Sequence, residues 1–180
     1  MKTKTITLYE YSELSQKAKN KALAKWCENN DMPFLADNLA ERLHELLEEN
    51  GIKDTNDTSK AGTKPTPVLY SLSSCQGDGA MFEGTFTWGK YTVYIKHSGR
   101  YYHSNSKTIE IVDENGHEAS EENHNESLND DFEEVYQAIC KELERMGYDE
   151  IEHENSEENF IEMCEANEWT FREDGTMENL

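Results

Sequence analysis

The sequence predicts an α+β fold, with a central antiparallel sheet, two helices before it and two helices after it. Two observations lead to this prediction. Apolar residues recur at helical spacing near both ends of the 180-residue chain, whereas a middle stretch alternates apolar and polar residues between turn signals. A chain of 180 residues could form one domain or two small ones, and we expect a single domain over residues 1–180.

The N-terminal region predicts one strand followed by a helix. Residues 3–9 alternate apolar and polar side chains and indicate a short strand. Ser12 or Ser15 is the expected N-cap of a helix that runs to about Glu28. The same helix carries a lysine at every fourth position, which predicts a basic stripe: Lys17, Lys21 and Lys25.

A second helix is expected between Pro33, which suits the first turn, and the stop signal Asn50-Gly51. Residues 52–66 are polar and show no periodicity, so they predict a loop. A run of strands follows, and the alternation pattern places them at 67–73, 80–88, 91–97, 100–104 and 107–112.

The C-terminal third predicts an acidic helical region over residues 132–180. Before it, residues 113–131 contain almost no apolar side chain and predict a polar loop. Apolar spacing then indicates a helix from Phe132 to Gly147 and a shorter helix after Ser156. Trp169 and Phe171 suggest a last short strand before Asp174-Gly175.

Charge is distributed very unevenly along the chain. Residues 113–180 contain 24 Asp or Glu and three basic residues, whereas residues 1–112 contain 14 of each kind. The whole net charge of −21 therefore belongs to the last 68 residues. Such a region repels nucleic acid and anionic membranes and attracts basic protein surfaces, many of which belong to proteins that handle DNA or RNA.

The acidic helices are accordingly the predicted partner-binding site. Carboxylates three or four residues apart on a helix lie about 5–6 Å apart at Cβ, a spacing of the same order as phosphates along a nucleic-acid backbone. A solubilising surface is the alternative explanation. The predicted contact residues are Asp130, Asp131, Glu133, Glu134, Tyr136, Glu150, Glu152, Glu154, Glu157 and Glu158.

A second candidate site is the glycine-rich segment 70–84. Cys75, Asp78 and Glu83 lie close together in it and suggest a binding loop or a small enzymatic site. The alternative, which we favour, is a tight connection between two strands, with Gly84 as a bulge.

Other chemistry is not indicated. The histidines and cysteines lack metal-ligand spacing, and neither a phosphate-binding loop nor a dinucleotide motif is present, so we predict no catalytic residue, no metal and no cofactor. The four cysteines are widely separated and no apolar run has the length of a membrane span, so we expect reduced thiols and a cytoplasmic protein. The oligomeric state is left open.

Three segments resemble small proteins encoded by bacteriophages and prophages, most of them of unknown function. They are YEYSELSQKAKNKALAKW near the start, YSLSSCQGDGAMFEGTF in the middle and EANEWTFREDGTMEN at the end. In length and acidity the chain is also similar to type II-A anti-CRISPR inhibitors. The resemblance implies a non-enzymatic protein of a phage or mobile element, acting in the bacterial cytoplasm on a basic host defence protein such as Cas9.

Overall fold

The computed structural model describes residues 6–55, 66–118 and 126–178. Its contacts group the chain into two compact units. The terminal unit comprises Met1–Met32 and Asp149–Leu180, and the middle unit comprises Pro33–Tyr148. A single domain over residues 1–180 stays a prediction, because compactness alone does not show which part of a chain folds independently.

The described elements alternate in class along the chain. After a 3₁₀ turn at Tyr11–Glu13, the helices are α1 (Gln16–Asn29), α2 (Leu35–Glu49), α3 (Glu126–Glu154) and α4 (Glu157–Ala166). The strands are β1 (Ile52–Asp54), β2 (Leu69–Ser71), β3 (Gly79–Met81), β4 (Gly84–Trp88), β5 (Tyr91–His97), β6 (Lys107–Val112), β7 (Thr170–Phe171) and β8 (Met177–Glu178).

A four-stranded antiparallel sheet forms the centre of the middle unit. Its strand order is β1-β4-β5-β6, and a separate antiparallel pair joins β2 to β3. One face of the sheet is buried because alternate side chains point the same way: Ile52, Phe86, Val93, Ile95 and Ile111 are all at most 3 % exposed. Ring contacts link α3 to this part of the unit, with Phe132 against Trp88 and Tyr136 against Phe82.

An aromatic core holds the terminal unit together. α1 begins at Ser15, whose side chain accepts a hydrogen bond from the Ala18 amide at 3.4 Å, so Ser15 is the cap. The apolar sides of α1 and α4 meet the β7–β8 hairpin. The buried members of this core are Tyr11, Leu14, Ala18, Ala22, Phe160, Cys164 and Phe171.

The α+β prediction is confirmed, with four described helices around strands in the middle of the chain. The predicted strand at 3–9 is reduced, in its described part, to a single bridge between Tyr9 and Phe171. The predicted loop 52–66 begins with β1, which pairs with β4; residues 56–65 lie outside the described residues.

Further differences concern the strands and the last third of the chain. The predicted strand 80–88 is divided into β3 and β4, and residues 100–104 form bends that lead into a turn, not a strand. The predicted loop 113–131 gives way to α3 from residue 126, and residues 119–125 lie outside the description. The helices of the region 132–180 end at Ala166, and the β7–β8 hairpin that follows confirms the last short strand predicted at Trp169 and Phe171.

Gly147 does not end its helix, which continues to Glu154. A side chain at this position would approach Leu72 Cδ1 to 2.4 Å, so the glycine allows close packing inside the middle unit. None of the described helices is both long enough and apolar enough to cross a bilayer.

Candidate functional site

The exposed face of α4 is acidic along its whole length. The helix starts at Ser156, whose side chain accepts from the Asn159 amide at 3.1 Å, and Phe160 and Cys164 anchor its inner side in the aromatic core. The helical repeat turns the remaining residues outward. The acidic face consists of Glu157, Glu158, Ile161, Glu162 and Glu165, all of them exposed.

The charges of this face are not neutralised locally. α4 contains no Lys or Arg, and no basic side chain among the described residues forms an ion pair with Glu158, Glu162 or Glu165. Glu157 accepts a hydrogen bond from the Tyr11 hydroxyl at 3.0 Å. Burial, and then this carboxylate, raise the pKa of Tyr11 above its usual range, which keeps the hydroxyl protonated as a donor.

The lysine stripe of α1 belongs to the same unit but is partly engaged. Lys21 Nζ contacts Asp174 Oδ2 at 2.7 Å and Thr176 Oγ1 at 3.1 Å, and Lys25 pairs with Glu28 on α1 itself. The hydrogen bond from Lys21 is the main reason that the pKa of Asp174 lies well below its usual range. The stripe therefore helps to fix the β7–β8 hairpin.

The predicted acids at the start of α3 divide into two groups. Asp130, Asp131 and Glu134 are exposed. Glu133 instead accepts a hydrogen bond from Lys107, and this bond lowers its pKa. Glu133 is thus committed to a contact within the middle unit.

Tyr136 corrects the sequence prediction. The acidic surroundings predict a partner contact at this position, but the side chain is 0 % exposed and its hydroxyl donates to the Phe82 carbonyl at 3.2 Å. Burial raises the pKa of this hydroxyl far above its usual range. Tyr136 is a core residue of the middle unit.

The last predicted acids lie at the end of α3, in the terminal unit. Glu152 is exposed, whereas Glu150 and Glu154 are half-buried. The Glu154 carbonyl accepts hydrogen bonds from Trp26 Nε1 at 3.4 Å and from the Asn30 side chain at 3.3 Å. Glu154 therefore contributes to the connection between α1 and the end of α3.

The loop between β2 and β3 is organised around Asp78. Its carboxylate accepts hydrogen bonds from the backbone amides of Ser73 (2.6 Å) and Cys75 (2.8 Å) and from the hydroxyls of Ser71 (3.0 Å) and Tyr148 (2.9 Å). These donors, the Cys75 amide first, hold the pKa of Asp78 well below its usual range. A carboxylate satisfied in this way stabilises the loop and has little capacity left for a ligand.

The three residues of the second candidate site have different partners. Glu83 accepts from the His97 amide at 2.9 Å, and the exposed Cys75 thiol donates to the Ser73 carbonyl at 3.5 Å. Within the described parts of the chain, no group of three or more His, Cys, Asp or Glu side chains is arranged to hold a metal ion. The geometry is that of a strand connection, the interpretation favoured from sequence.

Replacing Asp78 by Asn is expected to lower the midpoint of unfolding at pH 7, because the amide cannot accept all of these bonds. The pKa of Asp78 in the folded state lies below its unfolded value of about 4. The ionised carboxylate therefore stabilises the folded state above that pH, and this stabilisation is lost as the pH falls further. The difference in the midpoint of unfolding between wild type and Asp78→Asn should therefore become smaller as the pH falls from about 5 to about 2. Thermal unfolding across that range measures it.

The exposed Asp130 provides the control for this experiment. Among the described residues its carboxylate has no hydrogen bond of the kind that holds Asp78. Asp130→Asn should leave the midpoint almost unchanged at every pH. If the midpoint of Asp78→Asn differed from that of wild type by the same amount at every pH, the ionised carboxylate of Asp78 would not stabilise the loop as assigned.

The predicted contact residues do not include three members of the acidic face, although the predicted acidic region contains all of them. Ile161, Glu162 and Glu165 share the outward side of α4 with the predicted Glu157 and Glu158. The signal was available, because counting three and four residues from the apolar Phe160 and Cys164 separates the two sides of the helix.

Comparison of the chain with protein-family models, with curated proteins and with solved structures finds no match. The resemblance to phage proteins and to anti-CRISPR inhibitors therefore stays a prediction.

Proposed function

We propose that this protein is a non-enzymatic interaction protein that binds a basic, nucleic-acid-handling host protein through the acidic face of α4. The observation that carries the proposal is the grouping of four exposed glutamates around Ile161, on a helix without a single Lys or Arg. A surface made only for solubility intersperses charges of both signs.

The physical basis of binding is electrostatic complementarity. A protein that handles DNA or RNA displays Lys and Arg towards the phosphates, and a compact array of carboxylates presents a similar charge to the same groove. Attraction of this kind accelerates encounter and weakens as salt screens it. Ile161, 36 % exposed within the array, supplies an apolar contact.

Cas9 is the candidate partner that the resemblance suggests, and a cleavage assay tests it. Purified protein added to Cas9 with guide RNA and target DNA should reduce cleavage. Inhibition should weaken steadily between about 50 and 500 mM salt. Capture from a bacterial lysate at low salt tests other basic proteins in parallel.

Reversing Glu158 and Glu162 to Lys should weaken partner binding about tenfold, equivalent to about 1.4 kcal/mol. The matched control is Glu41→Lys with Glu48→Lys, because both residues are exposed on α2 and the total change in net charge is the same. The control should change affinity less than about threefold, or about 0.7 kcal/mol. Thermal unfolding verifies that both variants fold.

Two results would contradict the proposal. Equal weakening by the α4 and α2 variants would mean that only the net charge matters. Binding that does not respond to salt would exclude an electrostatic interface.

A further inference from the structure

A groove of about 750 Å³ lies beside the acidic face, within the terminal unit. The apolar residues that line it, called the floor below, include Tyr11, Ile161, Cys164 and Trp169. Ile161 belongs both to this floor and to the outward side of α4, so the groove opens onto the surface already proposed to bind a partner. A volume of this size admits a few side chains of a peptide.

The charged residues that line the groove, called the rim below, are mostly acidic. Four of them are glutamates, Glu10, Glu157, Glu165 and Glu168, and one is a lysine, Lys19. Four negative charges and one positive charge give a net of −3. Lys19 Nζ also lies 5.5 Å from the centre of the Tyr11 ring, which occupies it with a cation–π contact.

The chemistry of floor and rim selects one type of ligand. The acidic rim disfavours anions, including nucleic acid, and the apolar floor disfavours a fully hydrated cation. A guanidinium group suits both, because it is weakly hydrated, pairs with carboxylates through a planar fork and stacks on aromatic rings such as that of Trp169. An adjacent apolar side chain would cover Ile161.

We infer that this groove binds an extended segment of the partner in which arginines alternate with apolar residues. Successive side chains of an extended chain alternate in direction, so the apolar residues reach the floor while the long arginine side chains reach back to the carboxylates of the rim. The inference rests on the proposed function and narrows it from a basic surface to a peptide of stated pattern.

Glu168 offers a variant that separates binding from folding. It directly follows the C-cap of α4 with a φ of 53°, and the next amide, Trp169 N, donates to the Cys164 carbonyl at 2.9 Å. Glycine is the usual residue in this left-handed position. Glu168→Gly should therefore unfold at the same temperature as wild type or higher, while it removes one rim charge.

The test measures binding of a fluorescent six-residue peptide of alternating Arg and Leu to the full chain. Analogues with Lys for Arg, Ser for Leu and Glu for Arg serve as comparisons. The groove variants are Glu168→Gly alone and Glu165→Gln with Glu168→Gln. The matched control is Glu158→Gln with Glu162→Gln, which removes two charges from α4 at positions outside the groove lining.

The Arg–Leu peptide should bind more tightly than its Lys and Ser analogues, and the Glu analogue should not bind. The double groove variant should lose about tenfold in affinity, Glu168→Gly should lose less, and the control pair should stay within about threefold. Equal losses in the groove and control pairs, or no preference for Arg–Leu, would overturn the inference.

The same variants assayed against intact Cas9 or another captured protein distinguish the two proposals. Partner binding that depends on Glu158 and Glu162 but not on Glu165 and Glu168 would overturn the inference that the groove binds the partner. The proposed function would remain supported. Peptide binding that depends on the groove, without any intact basic partner, would overturn the proposed function and support the groove.

Discussion

Replacing Tyr136 by Ala is expected to destabilise the protein by about 3–5 kcal/mol, the range for removing a buried aromatic ring. The side chain is 0 % exposed, its ring centre lies 4.8 Å from that of Phe82, and its hydroxyl donates to the Phe82 carbonyl. Truncation leaves a cavity and removes the donor of a buried acceptor. Urea denaturation followed by far-UV circular dichroism measures the loss.

Tyr136→Phe is the informative control, because it keeps the ring and removes only the hydroxyl. We expect it to cost about 1 kcal/mol, the contribution of a single hydrogen bond. If Tyr136→Ala left the stability within about 1 kcal/mol of wild type and abolished partner binding, the side chain would be a partner contact and not a core residue.

The contrast between Tyr136 and its neighbours shows what a sequence reveals about a helix. Spacing places Phe132, Tyr136 and Leu143 on one side of α3, and all three are fully buried. An aromatic residue on the apolar side of a helix belongs to the core unless no other element packs against that side. The acidic residues around Tyr136 favour an interface, but the periodicity of the apolar residues is the stronger signal and decides the matter.

The helices were predictable because their apolar spacing extends over many residues. Short strands were less so. Tyr101 and Tyr102 have high strand propensity, yet both are exposed and lie in a segment of bends. Strand propensity reflects packing on a half-buried surface, which a local pattern cannot supply. Ile52–Asp54 forms a strand because β4 is available to pair with it, about 30 residues later in the chain.

The candidate site could be predicted only in part. Segregation of charge is a property of sequence, and it indicated the acidic last third of the chain, to which both α3 and α4 belong. The contacts that modify individual acids join distant residues, as in the hydrogen bond from Tyr11 to Glu157 or that from Lys107 to Glu133. Tertiary structure alone decides which carboxylates are committed inside the protein and which remain available to a partner.

Gly175→Ala is expected to cost about 3 kcal/mol or more, because two effects add at this position. Gly175 has a φ of 83°, and its amide donates to the Arg172 carbonyl at 2.9 Å to close the β7–β8 turn. A Cβ atom would also lie 2.2 Å from the carbonyl oxygen of Ala18, which belongs to the backbone of α1 and cannot rotate away. The hairpin would have to separate from α1.

Gly89→Ala is the matched control, since Gly89 has a φ of 62° in the turn between β4 and β5, and an added methyl group there would meet no described atom within 4 Å. It should cost only the conformational penalty of about 1–2 kcal/mol. Denaturant unfolding compares the two, and near-UV circular dichroism reports whether Trp26 and Trp169 keep their contact at 5.4 Å. Equal losses from the two substitutions would mean that the hairpin can move off α1 at no cost. The Lys21–Asp174 pair and the aromatic core beneath the acidic face would then not hold the terminal unit together as described.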